Sequence, residues 1–139
     1  MSQRHLDPLS PDECFALMAA HDVGRLVYTD EKGPAAVPVN YVVDGGRVVF
    51  RVEDTAKVSA LRRPIAFEVD EIDEGDHSGW SVLLRGTAGD LPMEEVVELL
   101  RRVRAEFPRP WAEGIHNQWM ALAPSEVTGR RLSQPVDAG

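Results

Sequence analysis

Only one cysteine, Cys14, occurs in the 139 residues, which excludes an intrachain disulfide and any zinc site built from several thiolates. Long apolar runs are missing too. No stretch approaches the ~20 residues that a bilayer-spanning helix needs, and the first nine residues lack the apolar core of a signal peptide. Cations are the minority, 15 lysines and arginines against 23 aspartates and glutamates, for a formal charge of −8. That balance disfavours nucleic acid, because a polyphosphate is repelled at long range unless the arginines gather on one face. The expected setting is the cytoplasm, with no nucleic acid and no membrane as partner. Several chemical signatures are also lacking. No G-x-S-x-G nucleophile elbow occurs, since Ser81 after Gly79-Trp80 lacks the second glycine. The glycines at 24, 33, 45 and 46 form neither a Walker A loop nor a dinucleotide fingerprint. His5, His21, His77 and His116 stand alone in four segments, and no spacing joins His77 and His116 to Asp73 or Asp76 as a metal site.

What is present is an ordinary globular composition, 43% hydrophobic and 27% charged. A chain of this length buries roughly 68% of its unfolded surface and needs no covalent staple. One domain is expected, ordered over about 9–132, with a frayed tail over 133–139. Ser10-Pro11-Asp12-Glu13 announces a first helix over 11–20: serine caps it, proline suits its first position, and Glu13 completes a capping box. Strands follow over 24–29, 35–43 and 47–52, the last two joined by Asp44-Gly45-Gly46, a strong hairpin signal. Pro38 cannot donate to a ladder, so it marks an edge, a bulge or a ligand approach. A short helix over 55–61, a strand over 65–70, an acidic loop over 71–79 and a long strand over 80–91 come next. Val96, Leu99, Leu100 and Val103 recur at helical spacing within 92–107. Strands over 118–122 and 126–132 end the pattern. Six or seven strands with three helices, and no regular βαβ alternation, point to a mainly β (α+β) fold, an antiparallel barrel with helices at its periphery.

Few residues signal chemistry on their own. Cys14, beside Phe15, reads as a small packing residue, and the carboxylates between Asp70 and Asp76 read as a solvated loop. Trp80, Trp111 and Trp119 all fall next to polar or loop sequence, where an indole can cover a planar ligand, line a subunit interface or plug a barrel end. The most pointed cluster is Arg51-Val52-Glu53-Asp54-Thr55-Ala56-Lys57. An arginine at a strand end, then a hydroxyl and an ammonium opening a helix, make a phosphate site, although Glu53 and Asp54 oppose an anion.

Eight short blocks in order carry a resemblance: Gly24-Arg25-Leu26, Pro38-Val39-Asn40-Tyr41, Val49-Phe50-Arg51, Thr55-Ala56-Lys57, Phe67-Glu68-Val69-Asp70, Gly79-Trp80-Ser81-Val82, Gly86-Thr87-Ala88 and Thr128-Gly129-Arg130. With them the chain resembles the pyridoxamine 5′-phosphate oxidase-related, flavin-binding split-barrel proteins, particularly small actinobacterial members, over about residues 9–132. The resemblance implies a six-stranded antiparallel split β-barrel that forms a homodimer with FMN at the two-fold interface. It implies that Lys57, with Thr55 and Arg51, holds the flavin phosphate. Val37, Pro38, Val39 and Asn40 of one strand, and Phe50, Arg51 and Val52 of another, would lie along the flavin ring. Trp80, Ser81 and Trp119 match regions that reach the cofactor or the interface, from this subunit or its partner.

Two departures bear on the reaction. The oxidase itself has an arginine at the start of the strand that here reads Ala35-Ala36-Val37, and an arginine/histidine substrate motif where this chain reads Ala121-Leu122-Ala123-Pro124-Ser125. Pyridoxamine phosphate is therefore not the expected substrate. The resemblance implies an FMN-dependent oxidoreductase acting on an unidentified small molecule. An F420-dependent reductase and a non-enzymatic flavin- or haem-binding protein are the alternatives.

Overall fold

The computed structural model describes residues 5–53, 57–103 and 118–133. Thr55, Trp111, His116 and the expected tail beyond Ser133 lie outside them. Eight strands and three helices follow in the order β1 (His5–Pro8), α1 (Pro11–Ala19), β2 (Val23–Asp30), β3 (Gly33–Asp44), β4 (Arg47–Val52), α2 (Val58–Leu61), β5 (Pro64–Asp73), β6 (Ser78–Asp90), α3 (Met93–Val103), β7 (Gln118–Leu122) and β8 (Glu126–Ser133). The sheet runs β1-β8-β6-β5-β2-β3-β4-β7, its described pairs are antiparallel, and a further β6–β7 pairing closes six of the strands into a barrel. The mainly β barrel expected from the sequence is the fold observed. β8 and β1 extend from it as a flap along β6.

Alternation fills the barrel. Leu26, Tyr28, Phe67, Val69, Val82, Leu84, Phe50 and Met120 point inward, and Phe50 stacks on Phe67 with ring centroids 6.2 Å apart. α1 closes one side of this core. Its capping box forms as expected, with Glu13 N–H donating to Ser10 Oγ and Ser10 N–H donating to the Glu13 carboxylate. Cys14 and Met18 are buried under it, consistent with a packing cysteine. Tyr41 ties β3 to this helix, its hydroxyl donating to the Met18 carbonyl at 2.5 Å and its N–H to the Asp22 carbonyl. Burial pushes the Tyr41 phenol well above its usual range. A second cluster lies on the outer side of β4 and β7, where Val49, Trp119, Leu91, Val96 and Leu99 pack beneath α3. Asp44 fastens that helix. Burial would raise its carboxyl, but hydrogen bonds from Arg102 (2.7 Å) and Arg47 (2.9 Å) outweigh it and hold the group below the usual range.

The structure corrects two sequence expectations. Among the described residues there are eight strands, because four polar-flanked residues, His5–Pro8, pair with β8. The 71–79 segment is mostly a hairpin, with Glu71 opposite Trp80 and Asp73 opposite Ser78, so only 74–77 turn. Low strand propensity of acidic residues yields here to pairing on both edges of β6. Of the helix expected over 55–61, Val58–Leu61 are helical with Lys57 at their start, and 55 and 56 lie outside the described residues.

Gly79 makes that hairpin possible. A Cβ there would collide with the Glu71 carbonyl oxygen and lie 2.9 Å from Ile72 Cα, backbone that cannot move aside cheaply. Gly45, also at positive φ (64°), faces open space. Gly79→Ala should therefore cost about 2–4 kcal/mol, overpacking plus strain, while Gly45→Ala costs about 1 kcal/mol from its backbone conformation alone. Urea unfolding of the two variants measures the difference.

Candidate functional site

β3 and β4 form a ladder only from Asp44↔Arg47 to Tyr41↔Phe50. Past that point β3 stays with β2, from Asn40↔Val23 to Gly33↔Asp30. β4 stays with β7, Arg51 opposite Trp119 and Val52 opposite Gln118. The two strands therefore part, and a cleft of about 380 Å³ opens between them. Leu26 and Tyr28 form its floor from β2, Val37, Pro38, Val39 and Asn40 one wall, and Arg51, Val52 and Glu53 the other, with Lys57 and Leu61 at the α2 end. Pro38 sits where β3 has β2 along one edge only, so its missing N–H interrupts no β3–β4 ladder.

Two cations lie at this cleft, and their surroundings differ. Arg51 shares the outer face of β4 with Val49. Its guanidinium stands 5.9 Å over the Trp119 ring and 3.6 Å from the Glu53 carboxylate. The Lys57 ammonium lies 5.9 Å from the Tyr28 ring centroid, and no carboxylate among the described residues is within ion-pair distance of it. Arg51 thus has a carboxylate partner, and Lys57 has none among the described residues.

Seven of the residues singled out from sequence thus meet at one cleft: Val37, Pro38, Val39, Asn40, Arg51, Val52 and Lys57. Four others do not line it. Phe50 is fully buried in the barrel core. Trp80 packs in that core with its ring edge-on to His21, 5.2 Å between centroids, and neighbouring Ser81 lies on the opposite face of β6. Trp119 packs in the cluster under α3. Leu26, Tyr28, Glu53 and Leu61 line the cleft and were not singled out as site residues. Alternation on the second strand could have flagged Leu26 and Tyr28, since both face inward there. Among the described residues, no three of His, Cys, Asp and Glu are grouped to hold a metal ion. No helix among them is long and apolar enough to cross a membrane.

This lining suits a planar heterocycle with an anionic tail. Aliphatic side chains from both walls and the floor offer flat apolar contact, the cleft size falls within the roughly 300–1,000 Å³ of small-molecule sites, and an ammonium without a carboxylate partner waits at one end. Strand β3, which has no strand partner on its cleft-side edge over 33–40 among the described residues, offers backbone donors and acceptors to a ring's polar rim.

Comparison with known proteins agrees in fold and sequence. A family model described as pyridoxamine 5′-phosphate oxidase matches residues 10–131. An uncharacterized protein of Mycobacterium tuberculosis, Rv0080, is 36% identical over 94% of this chain and 88% of its own. A structure described as the FAD binding protein from Mycobacterium smegmatis superposes with a TM-score of 0.70 at 34% identity, covering 91% of this chain and 97% of that one. The FAD and heme binding protein from Mycobacterium smegmatis shares the fold alone, at 14% identity and a TM-score of 0.69 over 89% of this chain and 72% of its own.

A second charged group lies away from the cleft. Arg25 on β2 reaches both Glu68 (3.2 Å) and Asp70 (3.4 Å) on β5. Burial first, then a hydrogen bond and repulsion from Asp70, push the Glu68 carboxyl up to about 7 against the partial opposition of Arg25. Between its ordinary value near 4.5 and about 7, the folded chain therefore holds a proton here that the unfolded chain has lost. By linkage this group's contribution to stability grows as pH falls through that window and is lost as pH rises through about 7. Glu68→Gln should flatten the parent's rise in stability from pH 7 to pH 5, as read by denaturant unfolding at each pH. An unchanged pH profile would show that Arg25 dominates the cluster.

Proposed function

Because the chain belongs to the pyridoxamine 5′-phosphate oxidase family, we propose that it is a flavin-dependent oxidoreductase that binds the flavin mononucleotide portion in the cleft between β3 and β4. The single observation that carries this reading is the parting of the two strands over a flat apolar floor with Lys57 at its end. The FAD-binding relative from Mycobacterium smegmatis supports a flavin. The mononucleotide portion is common to FMN and FAD, and FMN is the smaller fit to a cleft of about 380 Å³.

When bound, a flavin supplies hydride and single-electron transfer, and the protein supplies orientation and electrostatics. On this reading Leu26, Val37, Val39 and Val52 hold the ring flat and exclude water from its faces. The unpaired edge of β3 meets the ring's polar rim, and Lys57 neutralises the phosphate. No acid or base among the lining side chains is needed for electron transfer, which fits a site whose Glu53 is already paired with Arg51. The acceptor is a small molecule other than pyridoxamine phosphate. The proposal includes a homodimer, in which a second copy closes the open side of the cleft, and a cytoplasmic setting.

Mass spectrometry of the ligand released from native protein should find FMN or FAD, and F420 or haem in its place would overturn the flavin reading. Lys57→Ala should weaken FMN about tenfold to a hundredfold, the value of a charge-assisted contact of roughly 1.5–3 kcal/mol. Riboflavin, which lacks the phosphate, should bind parent and variant alike. Light scattering should give about twice the 15.4 kDa of one chain, and a monomer with full FMN affinity would remove the partner from the site.

A further inference from the structure

The chain has two tyrosines, and they are treated differently. Tyr41 is buried and its hydroxyl donates to the Met18 carbonyl. Tyr28 is nearly as buried, at 5% exposure, yet its hydroxyl has no hydrogen-bond partner among the described residues. A buried hydroxyl left without a partner costs free energy, so such groups call for an explanation in a ligand or an ordered water. Tyr28 lines the cleft on its floor, and its ring carries the Lys57 ammonium 5.9 Å from its centroid. Among the described residues, that aromatic face is the partner of the Lys57 ammonium.

We propose that Tyr28 is a ligand-contacting residue of the cleft, its ring holding the Lys57 ammonium in place and its hydroxyl donating to the phosphate that Lys57 neutralises. The inference rests on the flavin reading above and adds to it a residue and a division of labour. An ammonium on a four-carbon stem is mobile, and an aromatic face within about 6 Å restrains it without neutralising it, as a carboxylate would. On this proposal the hydroxyl of the same ring serves as a neutral donor to the anion that the cation attracts. An anion bound there gains both a charge and a directed hydrogen bond, so Tyr28 would sharpen selection for phosphate over a bare hydroxyl. α2 is a single turn and adds little dipole of its own, which leaves this pair as the anion-recognising element among the described residues.

Tyr28→Phe, Tyr28→Leu, Lys57→Ala and the double variant Tyr28→Leu/Lys57→Ala test this by fluorescence titration with FMN and with riboflavin, each variant first checked for a cooperative thermal melt. Loss of the hydroxyl in Tyr28→Phe should weaken FMN about threefold to tenfold. Tyr28→Leu should weaken it further, and riboflavin should bind all variants as it binds the parent. The double variant should lose about the hydroxyl's threefold to tenfold beyond Lys57→Ala and no more, because the ring acts through the ammonium while the hydroxyl meets the phosphate directly. Equal loss of FMN and riboflavin in Tyr28→Phe would overturn the proposal in favour of a packing role. So would unchanged FMN binding in both Tyr28 variants while Lys57→Ala weakens it, which would assign Tyr28 to the shallower groove it also borders beside Thr29 and Arg85. A parent that binds neither flavin would instead overturn the reading of the cleft, and this proposal with it.

Discussion

The architecture depends on one strand that changes partner along a single edge. β6 runs for 13 residues, with β5 along one side. On its other side Gly79–Arg85 pair with β8, and Ala88–Asp90 pair with β7. The switch occurs at Gly86, where a Cβ would lie 3.0 Å from Leu122 Cδ1 and 3.2 Å from Pro124 Cα. Glycine there admits the chain that turns from β7 into β8 close against β6. A closed barrel has no free edges, and this exchange closes six strands while sending β8 and β1 off as a flap. That flap in turn covers α1, for Leu9 N–H donates to the Gly129 carbonyl and a Cβ at Gly129 would collide with Cys14 Sγ.

Closure at β6 and β7 is what allows opening at β3 and β4. β4 is held by β7 along Val48–Val52, so it does not need β3 beyond Tyr41↔Phe50 to stay in the barrel. β3 is likewise held by β2. Each wall of the cleft is thus a strand anchored on its far side, and the gap between them costs no stranded hairpin. Such a site is held by rigid elements on both walls, with Tyr28 and Leu26 fixed on a third strand beneath. The fold concentrates its polar economy elsewhere, in Asp44 under Arg47 and Arg102 and in the Arg25–Glu68–Asp70 cluster.

How much of this was legible in the sequence follows from the range of each signal. The capping box of α1 and the Asp44-Gly45-Gly46 turn are encoded within four residues, and both were readable. Barrel class followed from the count and order of β-rich segments. β1 was not readable, because four residues ending in a proline carry no period, and their strand is paired with β8 alone among the described residues. The 71–73 extension of β5 was hidden by its charges, whose tolerance depends on an exposed edge and on partners such as His21, 3.2 Å from Glu71. Within the cleft, Arg51 and Lys57 stood out as a cluster of their own and Pro38 as a proline inside a strand, while Val37, Val39, Asn40 and Val52 came from a resemblance. Tyr28 lay in an ordinary alternating strand, where nothing in the one-dimensional pattern distinguishes an inward tyrosine with a partner from one without. Trp80 and Trp119 drew notice as large aromatics at strand starts, and the structure seats them in two separate apolar clusters.

Charge decides what kind of recognition the cleft can perform. The chain carries −8 overall, so an anionic ligand gains nothing from long-range steering, and beyond about 8 Å at physiological salt the field is screened in any case. Attraction must be local. Arg51, the stronger bidentate donor by chemistry, is engaged by Glu53 and stacked over Trp119. Its surroundings resemble those of a structural cation that fixes the β4 wall to β7. Lys57 has an aromatic face instead of a carboxylate, so its charge is kept whole and its position restrained. On the proposed reading the two cations therefore differ in role, Arg51 holding the wall and Lys57 meeting the anion at the open end. On the proposed reading that asymmetry makes the anion site a point contact, an ammonium with a neighbouring hydroxyl, with no arginine fork. A point contact tolerates a phosphate whether it ends the ligand or continues into a second phosphate, so the same cleft accommodates the mononucleotide portion of either flavin.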